Sequence, residues 1–475
     1  MNARALTAVL LALVAALGCS TLKKANEAQE SIEGKARGDA VAVEKLVLTG
    51  ASLETLVNFA LTNRPSVNIA RLAVEDARLA MKQIAAEAPI ISSTPWTAPK
   101  LSVSGGYSES STARTLSEGG WEMSGSPSAA LSLQVLVWDF GRNQAQAEQQ
   151  AEKTIAAELA LEQEGYAVFG EVANAYFTFL ERRSLLEVAL TNELQYADHL
   201  RRAEERRRAG EAYKLDVLKA RLDLANARQS VVAASNLVET SGAALMNALG
   251  IDAARGTWET VYNPASMDVQ SVRRGFPATT FDVDTAFVFA RTNSPSVQAE
   301  RASLRAASHA VDYAKRDLLP SVSVSGSLSW TDPTWVWSWG ASVVQTLFQG
   351  FRKTTAIDRA VNSLRQAEGS LDRAEQQLSL SLETAVANRD NSVSSVQSAM
   401  ASLKSAKENL DTVREQYAVG SVSRIELSDA IASYSEASGA AITAFYDGQR
   451  AEAQLYRFLG KYPVYAEELV KEEIK

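Results

Sequence analysis

Two carboxylates three residues apart, Glu426 and Asp429, are the groups in this sequence best placed to do chemistry. On a helix that spacing puts both on one face. They open a helix that starts at Arg424-Ile425-Glu426-Leu427, just after Gly420. Two readings are open at this point: a charged pair that acts on ions, or ordinary acidic residues that complement a helix N-terminus. Asp216 takes the corresponding place after an earlier glycine, Gly210. The two histidines, His199 and His309, fall on separate predicted helices with no cysteine, histidine or carboxylate pair at ligand spacing, so no metal site is expected. Gly105-Gly106 and Gly119-Gly120 fit strand and loop rather than a phosphate cradle. No catalytic constellation is visible, no cofactor is implied, and the chain does not read as an enzyme.

The N-terminus offers a different chemistry. Arg4 precedes an apolar run, Ala5 to Leu17, too short to span a bilayer as a helix. It closes Ala16-Leu17-Gly18-Cys19-Ser20, and Cys19 is the single cysteine, so no intramolecular disulfide can form. A small residue before a lone cysteine at that place resembles a bacterial lipobox, with residues 1–18 as signal peptide and Cys19 as the acylated (palmitate-bearing) N-terminus. Residues 19–50 are polar and read as a tether. A net charge of −8 argues against a nucleic-acid partner.

The elements that must position these groups are written twice. Asn63-Arg64-Pro65-Ser66-Val67 returns as Asn293-Ser294-Pro295-Ser296-Val297, and further on Gly210, Leu215-Asp216 and Leu249-Gly250 return as Gly420, Ile425-Glu426 and Leu459-Gly460. The repeat decides the architecture before any local reading. One unit covers 51–250, the other 283–462, with 251–282 between them and 463–475 as a tail. Each unit predicts an opening helix (52–88 and 283–317) in which the proline should kink the first turns. A pair of alternating segments follows. Val322, Val324, Gly326 and Leu328 face one way and Ser321, Ser323, Ser325 and Ser327 the other, which is a strand signal. Partner strands are expected at about 129–138 and 337–347, with links 109–128 and 331–336 as surface loops. Seven of the eight tryptophans (Trp96, Trp121, Trp138, Trp330, Trp335, Trp337, Trp339) lie in or beside these hairpins, as in the aromatic belt of a membrane barrel.

Long helices follow at 142–209 and 351–419, with return helices at 213–249 and 423–459. The seam Leu378, Leu382, Ala385, Arg389, Ser392, Val396, Ala399, Leu403, Ala406, Leu410, Val413, Tyr417 steps by fours and threes, a 3.5-residue repeat suited to coiled-coil packing. Four strands with a lipid-facing side cannot close alone, and an open edge is not allowed in lipid. Three copies would supply twelve strands, the more natural channel; two would leave little lumen.

With these features in place the chain resembles the TolC-like outer membrane efflux proteins, as a lipidated member, over about residues 50–462. The carriers are the doubled Asn-x-Pro-Ser-Val, the junctions Trp138-Asp139-Phe140-Gly141-Arg142 and Phe348-Gln349-Gly350-Phe351-Arg352, the turns at Gly210 and Gly420, and the Leu-Gly ends. The second junction has Phe351 where glycine is common, and Val422 stands where the family has an arginine. The resemblance implies an α+β membrane protein: a homotrimer with a twelve-stranded β-barrel continued by a long α-helical barrel in the periplasm. It implies a passive exit duct of a tripartite efflux or type I secretion system, partnered by a periplasmic adaptor and an inner-membrane pump. Glu426 and Asp429 match the acidic rings of the family's aperture. Asp216 and Tyr417 match positions that hold the closed state, and Arg208, Gly210, Val419, Gly420 and Ser421 would be the tips that meet the adaptor. The alternative is a periplasmic coiled-coil structural or adaptor lipoprotein without a pore.

Overall fold

The computed structural model describes residues 53–86, 100–113, 121–210, 213–251, 283–331 and 334–459. Cys19, the tether, Trp96, residues 252–282 and the tail lie outside them. The chain order is α1 (Leu53–Asn63), α2 (Pro65–Ala86), β1 (Lys100–Ala113), β2 (Trp121–Trp138), α3 (Arg142–Arg208) and α4 (Lys214–Ala248). It then repeats as α5 (Val283–Asn293), α6 (Pro295–Arg316), β3 (Ser321–Thr331), β4 (Thr334–Val344), α7 (Arg352–Ala418) and α8 (Arg424–Leu459).

Each opening helix is two helices. Pro65 and Pro295 stand first in α2 and α6, where a missing N–H costs nothing, and one residue before each proline leaves the helical run. The expected kink is thus a full break at Arg64 and Ser294.

The four strands form one antiparallel sheet in the order β1-β2-β3-β4. Its register carries the alternation across the whole sheet. Val103 pairs with Leu131, Leu131 with Leu328, and Leu328 with Trp337, so one face is a continuous apolar band. On the other face serines pair: Ser102 with Ser132 at 2.6 Å, Ser323 with Ser342 at 2.9 Å, and Ser327 with Ser338 at 2.8 Å between hydroxyl oxygens. The hairpins are longer than the sequence suggested. Residues 109–113 and 121–128, expected as loop, are paired strand, and the second link shrinks to 332–333. Antiparallel backbone pairing tolerates the serines and glycines that looked like loop residues. In the other direction 345–347 fall outside β4, where the Gln345 amide instead donates to the Leu318 carbonyl at 3.4 Å.

The long helices α3 and α7 each have 67 residues, roughly 100 Å at about 1.5 Å per residue. Every seam position of α7 from Leu378 to Tyr417 is buried or half-buried, including Arg389 and Ser392. Around α3 lie α1, α2, α4, α6 and α8, whereas α7 is covered by α5, α6 and α8, leaving α4 and α7 on the flanks. The main core joins Leu56, Val57 and Val67 to Val168, Phe169, Val172 and Phe179 of α3, with Leu245 of α4 and Tyr446 of α8. Fully burying a side chain such as Val168 or Val172 stabilises by about 1.5–3 kcal/mol. A second cluster seats Ala286 and Ala290 of α5 on Leu378, Leu382 and Leu455.

Charged ties join the two repeats. Glu181 of α3, almost fully buried, accepts from Arg450 of α8 at 2.7 Å. At the strand–helix junctions Asp317 takes Arg142 at 3.0 Å and Lys353 at 3.5 Å, binding the start of α3 to the start of α7. Asp139 caps α3 by accepting the backbone N–H groups of Gly141 (3.1 Å) and Asn143 (2.8 Å).

Candidate functional site at the helix tips

Far from the sheet, each long helix turns back at a glycine, Gly210 with φ 83° and Gly420 with φ 79°. At the second tip the Gly420 N–H donates to Tyr417 O at 3.2 Å and the Ser421 N–H to Gln416 O at 3.0 Å, the paired bonds of a left-handed helix stop. Arg208, Gly210, Val419, Gly420 and Ser421 are all exposed there.

Helix α8 then starts on a reciprocal cap. The Glu426 N–H donates to Ser423 Oγ at 3.3 Å, and the Ser423 N–H donates to Glu426 Oε2 at 2.9 Å. Glu426 therefore does the ordinary work of an N-terminal carboxylate while remaining exposed, and Asp429 is exposed one turn on. The two open readings are compatible in one residue.

Asp216 is engaged differently. One oxygen accepts the Tyr213 N–H at 3.2 Å, and the other lies 3.7 Å from Arg424 Nε. Arg424 Nη1 reaches Asp223 Oδ2 at 3.4 Å. One guanidinium from the second repeat thus holds two carboxylates of the first, with the Arg424 side chain only 14% exposed. Sequence reasoning left Arg424 and Asp223 without a role. The available signal was the seven-residue step from Asp216 to Asp223, two turns along one face of α4.

Tyr417 is buried among Leu410, Leu427, Ala430 and Ile431, with Tyr196 and Val422 packed against the cluster. Its ring stands 5.9 Å from the His199 ring, and the Arg206 guanidinium lies 5.5 Å from its centroid. Val422 is thus part of this apolar cluster, and the cation nearest Asp216 and Asp223 is Arg424. Burial pushes the Tyr196 hydroxyl above its ordinary range, against a hydrogen bond from Ser428 that pulls it down. His309 is elsewhere, its Nδ1 3.2 Å from Glu148 Oε2 on the flank of α3. Among the described residues no group of histidine, cysteine and carboxylates is arranged to hold a metal, and no helix is long and apolar enough to cross a membrane.

A family model described as outer membrane efflux protein matches residues 56–251 and 288–461. The chain belongs to the outer membrane efflux protein family. Solved membrane proteins share its fold. A membrane protein from Pseudomonas aeruginosa superimposes with a TM-score of 0.72 at 21% identity, covering 88% of this chain and 95% of its own. The outer membrane protein VceC from Vibrio cholerae gives 0.70 at 18% identity, covering 86% and 96%. The open state of the MtrE outer membrane channel from Neisseria gonorrhoeae gives 0.69 at 19% identity, covering 86% and 89%. No match was found among curated protein sequences. The α+β channel fold expected from the doubled sequence is the fold these proteins share.

Proposed function

We propose that this efflux-family chain works as a homotrimeric duct: the exit channel of a tripartite efflux or type I secretion system, passive and gated at its periplasmic tips. The observation that carries the reading is the sheet. Its apolar face runs unbroken from Val103 to Trp337, its opposite face is serine, and within the chain β1 and β4 each have a free edge. Such a sheet in lipid must close on other copies. Three copies make twelve strands, and the free flanks of α4 and α7 would close the helices into a tube.

In that assembly Glu426 and Asp429 form two rings of three carboxylates each at the periplasmic mouth, attracting cations by their mutual repulsion. Asp216 and Tyr417 hold the closed arrangement together with Arg424. Arg208, Gly210, Val419, Gly420 and Ser421 are the contact points for a periplasmic adaptor, which links the duct to an inner-membrane pump. Residues 1–18 are removed, Cys19 is acylated, and residues 19–50 tether the chain to the outer membrane. The two units, 51–250 and 283–462, flank the segment 251–282, a division supported by the two separate stretches of the family match.

The test is purification in detergent, with mass determination, conductance across a planar bilayer, and mass spectrometry of the N-terminal peptide. A trimer that conducts supports the duct. A non-conducting species, soluble once the lipid is removed, would instead identify a poreless periplasmic rod.

A further inference from the structure

His199 on α3 is 3% exposed, yet neither ring nitrogen has a hydrogen-bond partner among the described residues. A neutral imidazole carries one donor and one acceptor, and leaving both without a protein partner in a buried joint is costly. Every element around it contributes a titratable or charged group. Tyr417 comes from α7, with its ring 5.9 Å away. Arg424 comes from α8 and Asp223 from α4, while Asp198 and Arg202 come from the histidine's own helix. The carboxylates are already taken. Asp198 binds Arg201 at 2.7 Å and Arg202 at 2.8 Å, and Asp223 binds Arg424 at 3.4 Å. Among the described residues a proton arriving here meets two arginines, and both nearby carboxylates are already paired.

We propose that His199 is a proton-binding site that unlocks the tip: the imidazolium repels Arg424, competes with it for Asp223, and gives up its packing against Tyr417 to reach water. The proton comes from solvent onto a ring nitrogen, and no other bond is made or broken. This inference rests on the tips being the gate. Burial, Arg424 and Arg202 together hold the imidazole below the usual histidine range, against Asp223 and Asp198. The sign follows. A base harder to protonate in the packed joint than in the open one stabilises the packed joint above the open-state value of about 6.5. That stability falls with pH below 6.5. The open population rises by up to tenfold per pH unit until the buried imidazole itself takes the proton.

The test is hydrogen exchange of the full-length protein in detergent from pH 8 to 5, corrected for intrinsic rates. It follows residues 196–224 and 410–434 beside single-channel conductance. Wild type should lose protection at both segments by up to tenfold per pH unit below about 6.5. His199→Phe, which keeps a ring and cannot titrate, should be flat. His199→Gln serves if the phenylalanine variant does not fold. The chain has two histidines, so in a His309→Gln background a single imidazole resonance reports the site. Its midpoint should lie below 6.5. A flat wild-type profile, an unchanged slope in both His199 variants, or a midpoint at or above 6.5 overturns the proposal. Acid-induced exchange with unchanged conductance would uphold the proton site and refute the tip as the gate.

Discussion

Arg424 Nη1 lies 3.4 Å from Asp223 Oδ2, and with the Asp216 contact at 3.7 Å this ties the return helices of the two repeats together near their tips. Their side chains are 14% and 25% exposed, so the pair is screened less than a surface bridge but is not desolvated. Between those limits, removing the guanidinium should cost about 1–3 kcal/mol of local stability. Arg424→Gln is expected to speed hydrogen exchange in the first turns of α4 and α8 and to raise the open probability of single channels. Asp223→Asn should do the same to a lesser degree, because Asp216 still holds Arg424. Unaltered exchange in both variants would remove this pair from the closed state.

Glu426 caps α8 and, in the proposed duct, would also face cations at the mouth; substitution can separate the two. Glu426→Gln keeps a side-chain acceptor for the Ser423 N–H and loses the charge. Glu426→Ala loses both, at about 0.5–2 kcal/mol for a helix cap. Stability should therefore fall in Glu426→Ala and hold in Glu426→Gln, while block by a trivalent cation weakens in both. Combining Glu426→Gln with Asp429→Asn should weaken it further. Unchanged block in the double variant would mean that these carboxylates do not line the aperture.

Much of this architecture was legible because it rests on periodicity. The serine–apolar alternation fixed which face of each strand is which, and the heptad seam named the buried side of α7 down to Arg389 and Ser392. The doubling of Asn-x-Pro located both opening helical segments, though not their break into two helices. Contacts that join distant segments were not legible. Nothing near Arg424 in the chain announces Asp223, and nothing near Asp317 announces Arg142 and Lys353. The hairpin ends were misjudged for another reason. Backbone pairing here runs on through serine and glycine despite glycine's low strand propensity, so composition marks a strand's buried stretch rather than its length.

The two strand–helix junctions carry backbone in the left-handed region, at Phe140 and Gly141 in the first and Gly350 and Phe351 in the second. Gly141→Ala would place a Cβ 2.7 Å from Arg316 Nη1, a group that donates to the Gly141 carbonyl, also at 2.7 Å. The conformational cost of about 1–2 kcal/mol then adds to a displaced hydrogen bond of about 1 kcal/mol. Phe351 has φ 61° and is 71% exposed, with its ring 5.6 Å from Phe348. Phe351→Gly relieves about the same strain and loses a ring pair of about 0.5–1.5 kcal/mol. Thermal unfolding in detergent should show a clear fall for Gly141→Ala and a near-neutral result for Phe351→Gly. A large loss in the latter would place the Phe351 ring in a contact between subunits.

The buried pair of Glu181 and Arg450 gives an ordered set of expectations. Glu181 has a 5% exposed side chain, and its other cation, Arg182, is 4.0 Å away. Arg450 also binds Asp447 and donates to Thr178 Oγ1 at 3.4 Å. Removing Arg450 leaves a buried carboxylate with only the Thr443 hydroxyl at 3.4 Å and Arg182 at 4.0 Å, whereas removing Glu181 leaves an arginine that keeps the Asp447 carboxylate and the Thr178 hydroxyl. Arg450→Ala should therefore approach the 3–5 kcal/mol typical of breaking a buried pair (about that range), with Glu181→Ala clearly below it. Replacing both, as Glu181→Leu with Arg450→Met, should recover most of the loss, since apolar residues of similar volume often match a buried pair. Chemical denaturation of wild type and the three variants checks the order. If Glu181→Ala proves the costlier single change, the ordering by available partners fails.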